Sequence, residues 1–320
     1  MAPRLAYTAR HVALTSPRVW RPLLCGVIAA ALTAADAYLH PERVTDFEQV
    51  WFAARELLAG NTPYGAIGPG RTFDWPWPFL YPLTTVVSVL PLALVPAPVA
   101  RTLFLGLSVG LLALAFRDRP LLPVIVGAPF VNAFWNVQWS IILTAAMVLP
   151  WLGWLAPAKP TLGIALLTQA RSRRQLQIAI GGGLALVLIS LALRPGWPGE
   201  WLVTLREGPR FIPPLLRPGG LLLLAAALRW KEPEGRLMLA LAVTPQTALW
   251  YEALPLFLVP RSLAEGRILA FTSQLAFFST ALMDVPAEWA GRTRIIGMLM
   301  LAGCYFPALI MVLRRRRLPG

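Results

Sequence analysis

Long apolar runs, separated by short arginine-rich turns, repeat from one end of this chain to the other, and nothing else in it restricts the fold so strongly. Stretches such as "LLCGVIAAALTAADA" and "QIAIGGGLALVLISLAL" hold almost no side chain that water would have to solvate. A helix satisfies its backbone hydrogen bonds internally, so runs of this length cross a bilayer as helices. Only 14% of the 320 residues are charged, against roughly a quarter in an ordinary soluble domain. The 31 prolines and 24 glycines fit the same reading, because bundles of transmembrane helices tolerate both. The pattern predicts an all-α, polytopic transmembrane bundle of about 10–12 spans, forming one integral membrane domain over 1–320.

The spans are expected near 22–39, 79–95, 99–116, 120–135, 138–155, 157–170, 176–193, 213–228, 237–250, 251–260, 268–283 and 295–313. Several are short, and the pairs flanking Asn136, Pro157 and Tyr251 read as broken or re-entrant helices. The basic start followed by an apolar run resembles a signal peptide, but is read here as a retained first span acting as a signal anchor. Cys25 and Cys304 fall inside spans as small buried hydrophobes, and His11 and His40 are too scattered for a metal site.

A net charge of +14 would suit nucleic acid, but its distribution argues for a membrane instead. With the N-terminal segment 1–21 in the cytoplasm and the spans alternating, most basic residues fall on the cytoplasmic side. That side takes Arg101, "RSRR", "RWKEPEGR" and the basic tail 314–320, and only three acids, Glu232, Glu234 and Glu265. Arg117 and Arg119, placed outside, are the misfit. The expected location is a membrane with both termini cytoplasmic, membrane lipids as partners and no nucleic acid. The longer polar segments, 40–78, 194–212 and 284–294, then share the external face, where a protein of this kind does its work.

The first of these segments contains "RVTDFEQVWFAARELLAGNTPYG". Thr45-x-x-Glu48 has the spacing of a capping box, and Phe47, Val50, Ala54, Leu57 and Leu58 recur at helical spacing. Gly60 suits the C′ position and Pro63 prevents continuation, so a short amphipathic helix lying along the membrane surface is predicted. Glu48 is occupied by the cap, whereas Asp46 is outside it. The Asp46 carboxylate either complements the helix N-terminus or serves chemistry in the external loop.

Other candidates are ambiguous in the same way. Trp75, Trp77 and Tyr81 in "FDWPWPFLYPL" fit an interfacial aromatic belt or a stacking platform for a sugar ring. Arg206 and Arg210 fit lipid-headgroup contacts or bidentate phosphate binding. Arg210, in "GPRFIPP", is expected to aim from a constrained loop toward the bundle. Lys159 fits a snorkelling side chain or a functional cation at membrane depth. Asn132, Asn136 and Gln138 form a polar island that satisfies a broken helix or lines a lumen.

The order "DFEQVWFAARELLAGNTPY", "YPL", "LPLALVPAPVA", "NVQWSIILTAAMVLPWL" and "APAKPTLGIALL" resembles the polyprenyl-phosphate-sugar-dependent glycosyltransferases of the GT-C superfamily. It is similar in particular to bacterial family 87, with its mannosyl- and arabinofuranosyltransferase-like members. The resemblance runs from Leu23 to about Leu167 and rests on Asp46, Trp51, Phe52, Gly60, Pro63, Tyr64, Tyr81, Pro82, Gln138 and Lys159-Pro160. The chain departs from the family pattern at Leu83, where a second proline is usual, and at Val137, where glycine precedes the glutamine. The resemblance implies a bacterial inner-membrane protein of GT-C-like fold with a catalytic carboxylate in the first external loop. Asp46 would be the base of an inverting transfer from a polyprenyl-phosphate-linked sugar donor to an acceptor hydroxyl. Lys159, Arg206, Arg210, Tyr64, Tyr81, Trp75 and Gln138 would bind substrate, without a metal or other cofactor. A non-catalytic GT-C-like subunit of a membrane protein complex is the alternative, and a lipid-linked substrate transporter the third.

Overall fold

The computed structural model describes residues 17–315. The first sixteen residues and the arginines beyond Arg315, both assigned above to the cytoplasm, lie outside the described residues. The described chain is nearly all helical, with a single pair of two-residue strands, β1 (Ile67–Gly68) and β2 (Phe73–Asp74). In chain order the α-helices are α1 (Pro17–Leu39), α2 (Asp46–Leu58), α3 (Pro63–Ala66), α4 (Leu83–Ser88), α5 (Ala97–Ala115), α6 (Leu122–Val126), α7 (Ala128–Trp135) and α8 (Ser140–Ala146). After these come α9 (Pro160–Thr168), α10 (Arg173–Leu193), α11 (Trp197–Glu207), α12 (Pro233–Val243), α13 (Leu263–Leu282), α14 (Trp289–Met300) and α15 (Phe306–Leu313).

Among the described residues four helical runs are long and apolar enough to cross a membrane: Trp20–Leu39, Ala97–Ala115, Arg173–Leu193 and Trp289–Leu313, the last joining α14 to α15 through a π-helical turn. Expected span 268–283 is also one unbroken helix, α13, but a less apolar one, and the remaining expected spans fold as shorter pieces. Prolines interrupt several of them, and segments Pro150–Ala158, Gly220–Arg229 and Trp250–Leu258 are 3₁₀-helical. Chain breaks fall at Asn136 and near Tyr251, as the sequence predicted, with Val137 and Ala248 in the left-handed region at φ 49° and 54°.

Helices α1 and α5 form an antiparallel hairpin whose backbones meet at glycines. A Cβ on Gly26 would lie 2.9 Å from the Gly106 carbonyl oxygen, and one on Gly110 would lie 3.3 Å from that of Pro22. Small residues at such a crossing let helices gain dispersion contacts where no hydrophobic driving force exists in lipid. The outer face of α1 carries exposed Leu23, Val27 and Leu32, suited to acyl chains.

This hairpin corrects two expectations. Residues 79–95 do not cross. They fold as α4 and a 3₁₀ turn, Leu90–Leu94, on one end of the bundle, so α5 starts beside the end of α1. Arg101 therefore lies with the first polar loop, its guanidinium 3.1 Å from the Glu48 carboxylate and also 3.1 Å from the Arg43 carbonyl oxygen. Arg117 and Arg119 emerge instead at the end where α1 begins, and Arg119 donates to the Leu258 carbonyl.

The two ends of the bundle differ in composition. One gathers the three long polar segments: Thr62 donates to Glu200, Trp201 to the Leu80 carbonyl, and Trp77 packs edge-on against Trp289. The other gathers the basic turns. There Arg261 and Arg315 pair with Glu234, Arg236 donates to the Thr168 carbonyl and Arg229 to that of Leu313.

Candidate functional site

Helix α2 starts where the sequence places it. Thr45 precedes it in extended conformation, and the Glu48 carboxylate accepts from the Thr45 N–H at 2.9 Å and from the Thr45 hydroxyl. Gly60, at φ 83°, closes the helix, with its N–H donating to the Leu57 carbonyl. The helix does not lie free along a membrane surface, as its amphipathic pattern suggested. Phe47, Val50, Ala53 and Ala54 are buried against α5 and the α4 segment, and Phe47 stacks on Phe104 at 4.7 Å. The Glu48–Arg101 pair, both side chains buried, locks this docking.

Docked in this way, α2 presents Asp46 to a cavity of about 400 Å³ at the end of the bundle that holds the polar segments. Its walls are aromatic: Trp75 and Trp77 from the first segment, Tyr81 just after it, Trp201 and Phe211 from the second, and Trp289 from α14. Lys159 and Glu252 reach the same space, from the residue before α9 and from the 3₁₀ segment Trp250–Leu258. Their charged groups are 3.4 Å apart, and the ammonium stands 4.6 Å from the centre of the Tyr251 ring. Glu252 also accepts from the Thr247 N–H at 3.0 Å.

Asp46 is half-buried and receives a hydrogen bond from the Gln138 amide. Burial in this apolar cavity pushes its carboxyl up from 3.8 to about 6, with Glu48 adding to the rise and Lys159 opposing it. A carboxylate with such a pKa is ionised at neutral pH yet basic enough to accept a proton from a reacting hydroxyl. The left-handed Val137 and Ala248 adjoin the residues that touch the two carboxylates, Gln138 beside Asp46 and Thr247 beside Glu252. A non-glycine residue at positive φ is strained, the β-branched Val137 most of all, so the fold expends stability to aim these groups.

Of the residues proposed from sequence, Asp46, Trp75, Tyr81 and Lys159 share the cavity, and Gln138 touches Asp46 from behind it. Tyr64 stands one layer back, donating to the Tyr81 carbonyl at 3.3 Å. Arg206 and Arg210 are exposed and outside the lining, which corrects the expectation that Arg210 aims inward. Its neighbours Pro209 and Phe211 take the wall positions. Glu252, Thr161 and Trp289 were not singled out from sequence. For Glu252 the signal was present, an acid inside an apolar run. Buried polar atoms of two wall residues, the Thr161 hydroxyl and the Trp289 indole N–H, have no hydrogen-bond partner among the described residues. Among the described residues no group of three or more His, Cys, Asp or Glu side chains is placed to hold a metal ion.

The fold and this cavity define a helical membrane protein with a carboxylate-bearing aromatic site at one end. Comparisons with protein-family models, with curated proteins and with solved structures found no match to the chain.

Proposed function

We propose that this chain is a GT-C-like membrane glycosyltransferase that moves a sugar from a polyprenyl-phosphate donor to an acceptor hydroxyl. The observation that carries the reading is that Asp46, freed from capping by Glu48, opens into an aromatic cavity with its carboxyl near pH 6. At about 400 Å³ the cavity falls within the range of roughly 300–1,000 Å³ usual for small-molecule sites. Flat aromatic walls suit the apolar face of a sugar, and the unpartnered Thr161 and Trp289 groups suit its hydroxyls.

In this mechanism Asp46 takes the proton of the acceptor hydroxyl as its oxygen bonds to the anomeric carbon. The bond from that carbon to the phosphate oxygen breaks, polyprenyl phosphate leaves with the electron pair, and the anomeric configuration inverts. The phosphate is a good leaving group and needs little acid assistance. Lys159 is the cation on the cavity wall that would face its developing charge. The end holding the cavity faces the outside of a bacterial inner membrane, and the basic end faces the cytoplasm.

The test is transfer from synthetic polyprenyl-phosphate sugars by purified protein. Asp46→Asn should purify like the parent and lose at least about a hundredfold in rate. A parent inactive with every donor, or a variant as active as the parent, would overturn the reading.

A further inference from the structure

The Lys159–Glu252 pair poses a physical question. Two acids and one lysine converge on a mostly apolar cavity, and the lysine is bound to the acid that lies deeper. Glu252 is 1% exposed, whereas Asp46 opens to the cavity. Lys159 is near enough to Asp46 to favour its ionised form, and an ion pair with Asp46 is the alternative open to it. There it would hold the carboxylate ionised and unreactive, since an opposite charge at contact lowers a carboxyl by about 1–3 pH units.

We propose that Glu252 is a positioning residue: by holding the Lys159 ammonium over the Tyr251 ring, it keeps that cation off Asp46 and leaves Asp46 able to accept a proton. The geometry supports this at each contact. The Glu252 carboxylate is fixed by two groups, the Thr247 N–H at 3.0 Å and the ammonium at 3.4 Å. The ammonium is fixed in turn by that carboxylate and by the ring 4.6 Å away. Lys159 is the residue preceding α9, so its backbone is anchored by the helix: its carbonyl accepts from the N–H groups of Leu162 and Gly163. The strained Ala248 follows Thr247, in the turn that carries the N–H clamping Glu252.

Other charged or titratable groups face Asp46 from every side. Glu48 is on its own helix, with Arg101 from α5 as counter-ion. Tyr81 faces it from the stretch before α4, Lys159 from the start of α9, and Tyr251 and Glu252 from the 3₁₀ segment. Arg43 is turned away, bound to Asp36 at 2.9 Å. Lys159 is thus the cation whose position sets how strongly Asp46 is held ionised.

The inference rests on the transferase reading for its purpose, but its test does not require transfer. The Asp46 carboxyl is titrated in the purified full chain by infrared difference spectroscopy, its band assigned by disappearance in Asp46→Asn. Glu252→Gln releases the lysine, so the Asp46 midpoint should fall by about 1–3 pH units. Lys159→Met should raise it. Glu252→Gln also removes a negative charge, which would lower the midpoint even if the lysine did not move. Glu252→Gln made in the Lys159→Met background reads the loss of charge without the lysine, and there it should shift the midpoint clearly less than in the parent. An equal shift in both backgrounds, or none in either, overturns the proposal. If the midpoints move as stated while no donor is turned over, the positioning stands and the transferase reading fails alone.

Discussion

Replacing Asp46 by asparagine should make the protein more stable at neutral pH while removing its activity. In the folded chain this carboxyl sits near 6 rather than 3.8, because burial penalises its charge. The folded state therefore holds more protons than the unfolded state between those values, so stability is greatest below about pH 4. It falls as pH rises through about 6 and is flat above. At about 1.4 kcal/mol per pH unit, the interval from 3.8 to about 6 corresponds to a cost of about 3 kcal/mol at pH 7.5. Asp46 opens partly to water in the cavity, which screens some of this. The substitution also gives up a favourable first-turn charge worth about 0.3–1 kcal/mol. A net gain of about 1–2 kcal/mol remains, or a rise of roughly 2–5 °C in Tm. The assay is thermal unfolding of parent and Asp46→Asn in one detergent across pH 4–8. The two curves should meet near pH 4, separate between about pH 4 and 6 and run parallel above. A variant less stable than the parent at pH 7.5, or an offset independent of pH, would refute the burial argument.

Arg101→Met should cost about 3–5 kcal/mol, because it leaves Glu48 charged and buried without its cation. Glu48→Gln added to it should restore most of the loss in thermal unfolding, since a glutamine can still cap Thr45. Gly106→Val should loosen the α1–α5 hairpin by about 1–3 kcal/mol, as its Cβ would lie 2.9 Å from that of Ala30. Gly181→Val, where a Cβ meets nothing within 4 Å, is the control and should leave Tm close to the parent's. A cysteine at Asn61 should react in intact cells with a reagent that cannot cross membranes, and one at Arg117 should not, since the two lie at opposite ends of the bundle. The reverse pattern would invert the proposed orientation.

Local physics made much of this protein legible from its sequence. Hydropathy marked the four long apolar helices, because spanning length and the absence of charge are properties of a contiguous run. The cap of α2 was equally plain, since Thr45, Glu48 and Gly60 act within a few residues of one another. That cap is why Asp46 could be singled out. Apolarity alone did not distinguish a crossing segment from one that folds back. Residues 79–95 return to their starting end because α4 and the following turn pack on α2, and this is what carries Arg101 to Glu48. The misfit of Arg117 and Arg119 disappears for the same reason. The site itself was decided by tertiary structure. Asp46, Lys159 and Glu252 come from three distant stretches, and no periodicity or spacing relates them. Only the packing of the 3₁₀ segment Trp250–Leu258 against α7 and α8 buries Glu252 and brings it to Lys159, and a buried charge takes its meaning from the partner the fold supplies.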